Sequence, residues 1–286
     1  MNLPRHLLCL HSVEQACKRG EFLFCGVCGS FWDLESVRNQ QLQNLYTSSY
    51  PADRGHFEPV IGANKVRGLL GWLKKTSTSV ESRSICEVGF GSGFTLKYLN
   101  EQSSKVWGIE AVPSNIEFAV HLGIPKNHLF SSGALPARMP QPIDLWLFLD
   151  SFEHIIEVDD FMRWLNENSS PSAKMLLILP RADSFSRRWM RSFWIHRLND
   201  HVFHWSQKGI VGFMSKNGYV LETSFFPWKW ISLQTILNHL MLMAGLNAGK
   251  LRSAANRFPS FSFPLNFGQM GMVFRRSGHS SAATAV

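Results

Sequence analysis

Ser84-Ile85-Cys86-Glu87-Val88-Gly89-Phe90-Gly91-Ser92-Gly93-Phe94 is the stretch whose reading decides the fold. A short apolar run ends in glycines at every second position, and Thr95-Leu96-Lys97-Tyr98-Leu99 then continues with helical character. This is a strand that turns tightly into a helix. Glycines let the backbone turn and come close to a ligand, and the helix N-terminus presents free N–H groups to electronegative atoms. A dinucleotide fingerprint would need a further glycine three positions after the second, where this chain has Phe94. The pyrophosphate clearance is therefore missing, and a cofactor without phosphates fits better. The next apolar strand, Lys105–Ala111, ends in Glu110, 17 residues after Gly93. An acid at that strand tip can accept both ribose hydroxyls of an adenosine. The competing reading is a glycine-rich turn beside a solvated Glu.

Working outward, strands and helices alternate. Residues 64–75 read as a helix with Val66, Leu69, Leu70 and Leu73 on one face, followed by a Ser/Thr-rich loop over 77–84. After the first two strands come a helix with Pro113 at its start and Gly123 past its end, a short third strand around 127–132, and a fourth in Pro142–Ser151. A helix with acidic residues in its first turn (158–168) and a fifth strand closed by Pro180 complete the series. Strands that are apolar on both faces and alternate with helices predict a parallel sheet, hence an α/β fold. Beyond residue 180 the reading is a basic aromatic helix from 184 to 198, a helix over 207–217, and a strand in Tyr219–Phe226. An apolar helix over 232–246, a Pro/Phe loop over 258–264 and a last strand in Gly268–Arg276 follow. The two final strands look like an antiparallel addition to the sheet edge. The domain division is a Cys-bearing segment over 1–50 and a catalytic domain over 51–286, with a helical insertion at about 226–266.

Ile85–Phe94 followed by Val106–Ala111 resembles the class I S-adenosylmethionine-dependent methyltransferases, whose loop carries an acidic-x-Gly-x-Gly-x-Gly pattern. Ile143–Ile155 is similar to the fourth-strand motif of the subgroup with Glu-His after the strand. His201-x-x-His204-Trp205-Ser206, with Lys216-Asn217-Gly218-Tyr219, is similar to the segment before the last two strands. The resemblance covers roughly 60–225 and 268–276. It implies a Rossmann-like seven-stranded sheet, six strands parallel and one antiparallel, with helices on both faces. It also implies S-adenosylmethionine as cofactor, with Glu87, Gly89, Gly91 and Gly93 around the methionine portion and Glu110 on the ribose. The acidic residue that many members use for the adenine amine is replaced here by Ser131-Ser132-Gly133, which leaves Ser132 or backbone for that contact. Asp150 is a further cofactor-side candidate.

Methyl transfer to oxygen or carbon needs an aligned acceptor and a group to take its proton; a positioned base contributes roughly 10²–10⁴ in rate. His154 follows the fourth strand, and Glu153 can orient its ring and raise its basicity. A loop cap is the alternative role for this pair. His201 and His204 flank aromatics and are candidates for lining the acceptor pocket. No carboxylate stands at a spacing that would complete a metal site with these histidines.

Cys25-Gly26-Val27-Cys28 is half of a zinc knuckle, two thiols on a tight turn. A second half is missing; Cys9, His11 and Cys17 precede it at irregular spacings. The segment resembles the zinc-binding ribbon ahead of some sugar C-methyltransferases. That resemblance implies a structural zinc on Cys9, Cys17, Cys25 and Cys28, with His11 as a substitute ligand, or a ribbon that has lost its metal.

The formal charge of +8 is unevenly spread. Residues 1–180 hold 16 Lys+Arg and 18 Asp+Glu, residues 181–286 hold 13 and 3, and the latter carry 17 of the 36 aromatics. Phe185, Trp189 and Phe193 recur every four residues beside Arg187, Arg188 and Arg191. This tail fits a lid with a solvated basic face, and equally a surface for an anionic or lipid-linked acceptor or for peripheral membrane contact. It contains no compact basic run or recognition module, so nucleic acid is disfavoured as a partner. The expected protein is a cytoplasmic methyltransferase acting on a small-molecule or glycan acceptor. A catalytically inactive methyltransferase-like binding protein and a nicotinamide-dependent oxidoreductase are the rivals.

Overall fold

The computed structural model describes residues 16–19, 22–33, 59–103, 105–190, 194, 196, 201–233, 236 and 261–277. Three short strands come first, β1 (Ala16–Arg19), β2 (Phe22–Cys25) and β3 (Phe31–Asp33). Helix α1 (Pro59–Lys75) leads into β4 (Ile85–Val88), α2 (Phe94–Gln102), β5 (Val106–Glu110) and α3 (Pro113–His121). Then come β6 (Leu129–Ser131), β7 (Ile143–Leu149), α4 (Val158–Glu167) and β8 (Ser169–Pro180). The last part holds α5 (Phe185–Met190), β9 (Phe203–His204), α6 (Gln207–Lys216), β10 (Tyr219–Phe225), β11 (Lys229–Ser232), β12 (Ser262–Leu265) and β13 (Gln269–Arg276).

Seven strands form the central sheet in the order β10-β13-β8-β7-β4-β5-β6. Strands β8, β7, β4, β5 and β6 pair in parallel. Strand β13 lies antiparallel to β8 on one side and to β10 on the other. The final pair was expected as an antiparallel addition at the edge; only β13 runs against the rest, and β10, in the majority direction, forms the edge. Consecutive residues of β7 separate between the two faces: Trp146 and Phe148 join one apolar cluster, Leu145 and Leu147 the other. Burial on both faces is why these strands read as continuous apolar runs. One cluster draws on Leu69, Trp72 and Leu73 of α1 and Leu96 and Leu99 of α2. The other takes in Leu23, Cys25, Cys28 and Trp32 from the N-terminal strands, together with Phe203 and Trp205.

The N-terminal strands are therefore built into the body. They form a four-stranded sheet, β1-β2-β3-β9, whose last strand comes from far along the chain, with Phe31 opposite His204 and Trp32 opposite Phe203. Ser206 caps α6 through Gly209 N–H, and its own N–H donates to Ser30 Oγ at 3.0 Å. A Cβ on Gly209 would lie 2.1 Å from Ser30 Oγ, so this approach requires glycine.

Two expectations beyond residue 180 change. The Pro/Phe stretch read as a loop contains β12, which pairs with β11 as a two-stranded ribbon. The helix expected over 232–246 falls largely outside the described residues, as does most of 191–200. Among the described residues no helix is long and apolar enough to cross a membrane.

Candidate active site

The parallel strands end together. In register, Glu110 of β5 lies beside Ser131 of β6, and Val88 of β4 beside Phe148 of β7, so the loops that follow share one edge. Gly89, Gly91 and Gly93 have φ of 69°, 58° and 75°, the left-handed region that favours glycine. A Cβ on Gly89 would sit 2.4 Å from Ser151 Cβ, and one on Gly93 would sit 3.1 Å from Ala119 Cβ. The loop is thus a cradle closely walled at Gly89 and Gly93, while at Gly91 the positive φ alone disfavours a side chain.

The acidic residues around it do different work. Glu110 accepts from the N–H groups of Gly91 at 2.7 Å, Ala111 at 2.8 Å and Val112 at 3.0 Å, so it ties the glycine loop to the tip of β5. A carboxylate has room for about four hydrogen bonds, which leaves capacity for a ligand hydroxyl. Glu87 is buried and accepts from Thr95 Oγ1 at 2.6 Å through one oxygen; its other oxygen and Ser92 Oγ are buried with no hydrogen-bond partner. Burial pushes the Glu87 carboxyl up to about 7, against the pull of the Thr95 hydroxyl and the Lys65 ammonium. Ser132 is exposed in a short turn directly after β6.

Asp150 follows β7 with φ of 58°, a strained value for a residue with a Cβ. Its Oδ1 accepts from Gln269 Nε2 at 2.6 Å, and Oδ2 is paired with Lys229 Nζ. Burial opposes its ionisation, but Lys229 outweighs it, helped by His196 and His201, and holds the carboxyl below its ordinary range. Lys65 of α1 also reaches this edge, its Nζ 3.7 Å from the Cβ position of Gly91. Burial lowers the Lys65 ammonium, while Glu87 and Asp150 work in the opposite sense. Lys65, Lys229 and Gln269 have no motif around them in the sequence. The signal that could have found Lys65 is its place on the helix preceding the loop. The covering ribbon β11–β12 is fastened to α1 as well: the Arg67 guanidinium lies 3.5 Å over the Trp230 ring, and Asn64 Nδ2 donates to Ser262 Oγ at 2.9 Å.

On the other side of Asp150, Glu153 and His154 lie in a 3-10 turn. Glu153 is buried and His154 half-buried. Val202 N–H donates to the Glu153 carbonyl at 3.1 Å, which brings His201 over the turn, and the His154 and His201 rings meet edge to face at 4.7 Å. Ligand-capable atoms of Glu153, His154 and His201 lie within 4.8 Å of one another. The expectation that no carboxylate joins these histidines is thereby corrected: the carboxylate is His154's own neighbour, and His201 arrives through tertiary pairing. The His204 ring centroid lies 5.8 Å from that of His201. His204 is buried in the β3–β9 pairing, its ring stacked on Phe31 at 4.2 Å, which makes it part of the contact between the N-terminal strands and the body.

Among the described residues, Cys17, Cys25 and Cys28 do not form a metal-capable group. Cys25 and Cys28 are buried, and Cys28 Sγ donates to Ser30 Oγ at 3.3 Å. Cys17 is exposed and pairs opposite Phe24, so its side chain points to the face of the β1–β2 pair away from Cys25. Cys9 and His11 lie outside the described residues. Among the described residues, the group of three metal-capable side chains is Glu153, His154 and His201.

A family model described as a methyltransferase domain matches residues 63–224, more than half of the chain and the whole glycine-loop edge. The chain belongs to this methyltransferase-domain family. No curated relative matches the methyltransferase in sequence. Solved structures similar to it include the magnesium protoporphyrin IX methyltransferase of Synechocystis PCC 6803 with bound SAH, at 11% identity and TM-score 0.48, covering 80% of this chain and 90% of that one. The plantazolicin methyltransferase in complex with SAH gives 13% identity and TM-score 0.49, with coverage of 85% and 96%. An S-adenosylmethionine dependent methyltransferase from Mesorhizobium loti gives 14% and 0.47, with coverage of 73% and 98%.

Proposed function

We propose that this methyltransferase uses S-adenosylmethionine to methylate an oxygen or carbon of a small-molecule or glycan acceptor. The observation that carries the reading is the glycine cradle closed by Glu110, with the buried, unpartnered oxygen of Glu87 beside it. Those groups fit the cofactor. Glu87 would take its ammonium, Lys65 its carboxylate, Glu110 its ribose hydroxyls, and Ser132 or nearby backbone its adenine. Gly89, Gly91 and Gly93 allow the backbone to approach, and Asp150, held by Lys229 and Gln269, borders the methionine end. When bound, the cofactor supplies an electrophilic methyl group on a sulfonium, so the chain itself needs only to align the acceptor and accept a proton. His154, oriented by Glu153, stands beside this edge to take that proton, and His201 lines the acceptor side. A nicotinamide dinucleotide fits less well, because Phe94 packs against α1 where the third glycine would stand. A Cβ on Gly62 would be only 2.3 Å from its ring.

The acceptor side also carries exposed aromatics, with Phe185 82% and Trp189 71% exposed on α5 and Trp228 beside the ribbon. Together with Arg188 they favour an anionic, lipid-linked acceptor or a membrane surface bearing it. Calorimetry and thermal melting with S-adenosylhomocysteine test the cofactor assignment. Ligand at about 100 times its Kd stabilises by about 2.7 kcal/mol, and a shift produced by NAD but not by S-adenosylhomocysteine would overturn it. Screening glycan and lipid-linked acceptors with labelled donor tests the acceptor class.

A further inference from the structure

We infer that Glu153, His154 and His201 form a binding site for a divalent first-row transition-metal ion next to the methyl-transfer edge. The site rests on the geometry of the cluster; only the role given to the ion rests on the methyltransferase reading. Two imidazoles and one carboxylate are a ligand set that such ions accept, with remaining positions open to water or substrate oxygen. The three ligand atoms already lie within 4.8 Å of one another. Around one ion with bonds of about 2.1 Å they would stand roughly 3–4 Å apart, so small side-chain rotations close the set.

The backbone holds the group in place independently of any ion. The 3-10 turn after β7 is closed by His154 N–H on the Ser151 carbonyl at 3.1 Å. The His201 segment is fixed at both ends: Val202 N–H donates to the Glu153 carbonyl, and Ala182 N–H to the Trp205 carbonyl at 2.8 Å. Between these points β9 pairs with β3. Glu153 is 1% and His201 4% exposed, whereas His154 is half-buried. The site would therefore be closed on the protein side and open on one. A carboxylate oxygen beside two imidazole nitrogens is a donor type that such ions accept.

Coordination positions not taken by the protein would be open on the side of the half-buried His154, toward the region assigned to the acceptor. An acceptor hydroxyl bound there would be oriented and made more acidic, its proton leaving to solvent. His154 would then be a ligand in the metal-loaded protein and a base in the metal-free one.

The test uses the full chain, stripped with chelator and titrated with Co²⁺, Mn²⁺ and Zn²⁺. Calorimetry gives stoichiometry, and the visible spectrum of Co²⁺ reports nitrogen and oxygen ligation. The expected result is one ion per chain, bound without a thiolate-to-cobalt charge-transfer band. Affinity should fall at least tenfold in His201→Gln and in Glu153→Gln, and be unchanged in Cys28→Ser. His154→Gln, at the half-exposed member, supplies a second variant where the buried ones fail to fold, as judged by melting. No saturable binding, a thiolate band lost in Cys28→Ser, or full affinity in His201→Gln and His154→Gln overturns the site. Binding of S-adenosylhomocysteine is measured on the same samples. If it persists without metal binding, the metal site fails and the methyltransferase reading stands; metal binding without it gives the reverse.

Discussion

Around the glycine loop, Glu87, Glu110, Ser132 and Asp150 each stand within a residue or two of a strand end, and the glycines follow β4 directly. In the region that faces it across Asp150 the groups come from segments far apart in the chain: the turn after β7, the segment leading into β9, and the ribbon β11–β12. Ser30 and Ser206 hydrogen-bond across 176 positions. The first region is local chemistry placed by a regular alternation of strand and helix. The second is tertiary, with each polar group held by a partner that only the folded chain provides. One end of a single sheet thus joins a part fixed by backbone conformation to a part fixed by long-range contacts, and substitutions should separate the two.

The largest effect is expected on the local side. Gly89→Val places a branched side chain at φ of 69° and drives its Cβ into Ser151. Strain of about 1–3 kcal/mol, added to the displaced loop, should weaken S-adenosylhomocysteine binding more than about 100-fold. Gly71→Ala is the contrast. That glycine lies in α1 with open space around its Cβ position, so the change should raise stability by about 0.5–1 kcal/mol and leave binding unchanged. Equal tolerance at both positions, by calorimetry and thermal melting, would break the distinction.

Glu87→Gln comes next. In the role proposed for Glu87, losing a charge-assisted hydrogen bond to the cofactor ammonium would cost about 1.5–3 kcal/mol, or roughly 10–100-fold in affinity. Because burial raises the wild-type carboxyl to about 7, its charge is present above that pH and disappears below it. Wild-type affinity should therefore fall as pH drops through 7, while the variant's stays flat. Stability has the opposite sign. A carboxyl raised in the folded state stabilises fully below its unfolded value near 4.5 and loses that contribution as pH rises through 7. Glu87→Gln should accordingly melt higher than wild type at pH 8, by at most about 3 kcal/mol, and the advantage should vanish in acid. Melting curves from pH 5 to 8 check it.

The same contrast explains what the sequence could convey. The glycine loop, Glu110 and the five parallel strands are legible because turn geometry and two-sided burial leave marks within a few residues. Those marks also carry the assignment of Glu87 and Asp150 to the shared edge, since both flank strand ends. The pairing of β9 with β3 leaves none. Two-residue β9 has no period to read, and nothing in the sequence shows that the His204 ring stacks on Phe31. The resemblance placed Cys17 and Cys25 in one ligand set, but strand alternation sends their side chains to opposite faces. The Phe-Pro-Ser-Phe-Ser-Phe-Pro stretch reads as a loop because proline removes a donor. In the structure it supplies an edge strand, Pro264 opposite Trp230, where one side of the ribbon needs no pairing.

On the tertiary side, Lys229→Met removes the partner of Asp150 while keeping most of the bulk. The pair is partly exposed, so the loss should be about 1 kcal/mol, near 2 °C in Tm for a chain of this size. The ribbon should also become easier to cleave by protease between β11 and β12. Because Lys229 holds Asp150 below its ordinary range, the wild-type advantage exists above the unfolded carboxylate pKa and disappears as pH falls through the lowered folded value. A variant as stable as wild type at pH 7 and equally resistant to protease would show that the ribbon is held by α1 alone.

Trp189→Ser should do least to the fold. The side chain is 71% exposed on a six-residue helix that is held by buried Met190, by Ser186 on the Phe267 carbonyl and by Arg187 over Phe31, so stability should change by less than about 0.5 kcal/mol. Cofactor affinity should not change, because the local side does not depend on this surface. If the aromatic rim meets an amphiphilic acceptor or a bilayer, the variant should lose a measurable part of its pelleting with anionic vesicles. Arg188→Glu should lose more at low salt than at moderate salt, since an exposed charge is screened over about 10 Å at 0.1 M. Unaltered pelleting in both variants would assign the exposed aromatics to no lipid contact. Lost pelleting with unaltered S-adenosylhomocysteine binding would show that the two regions can be uncoupled at the surface although they share one sheet edge.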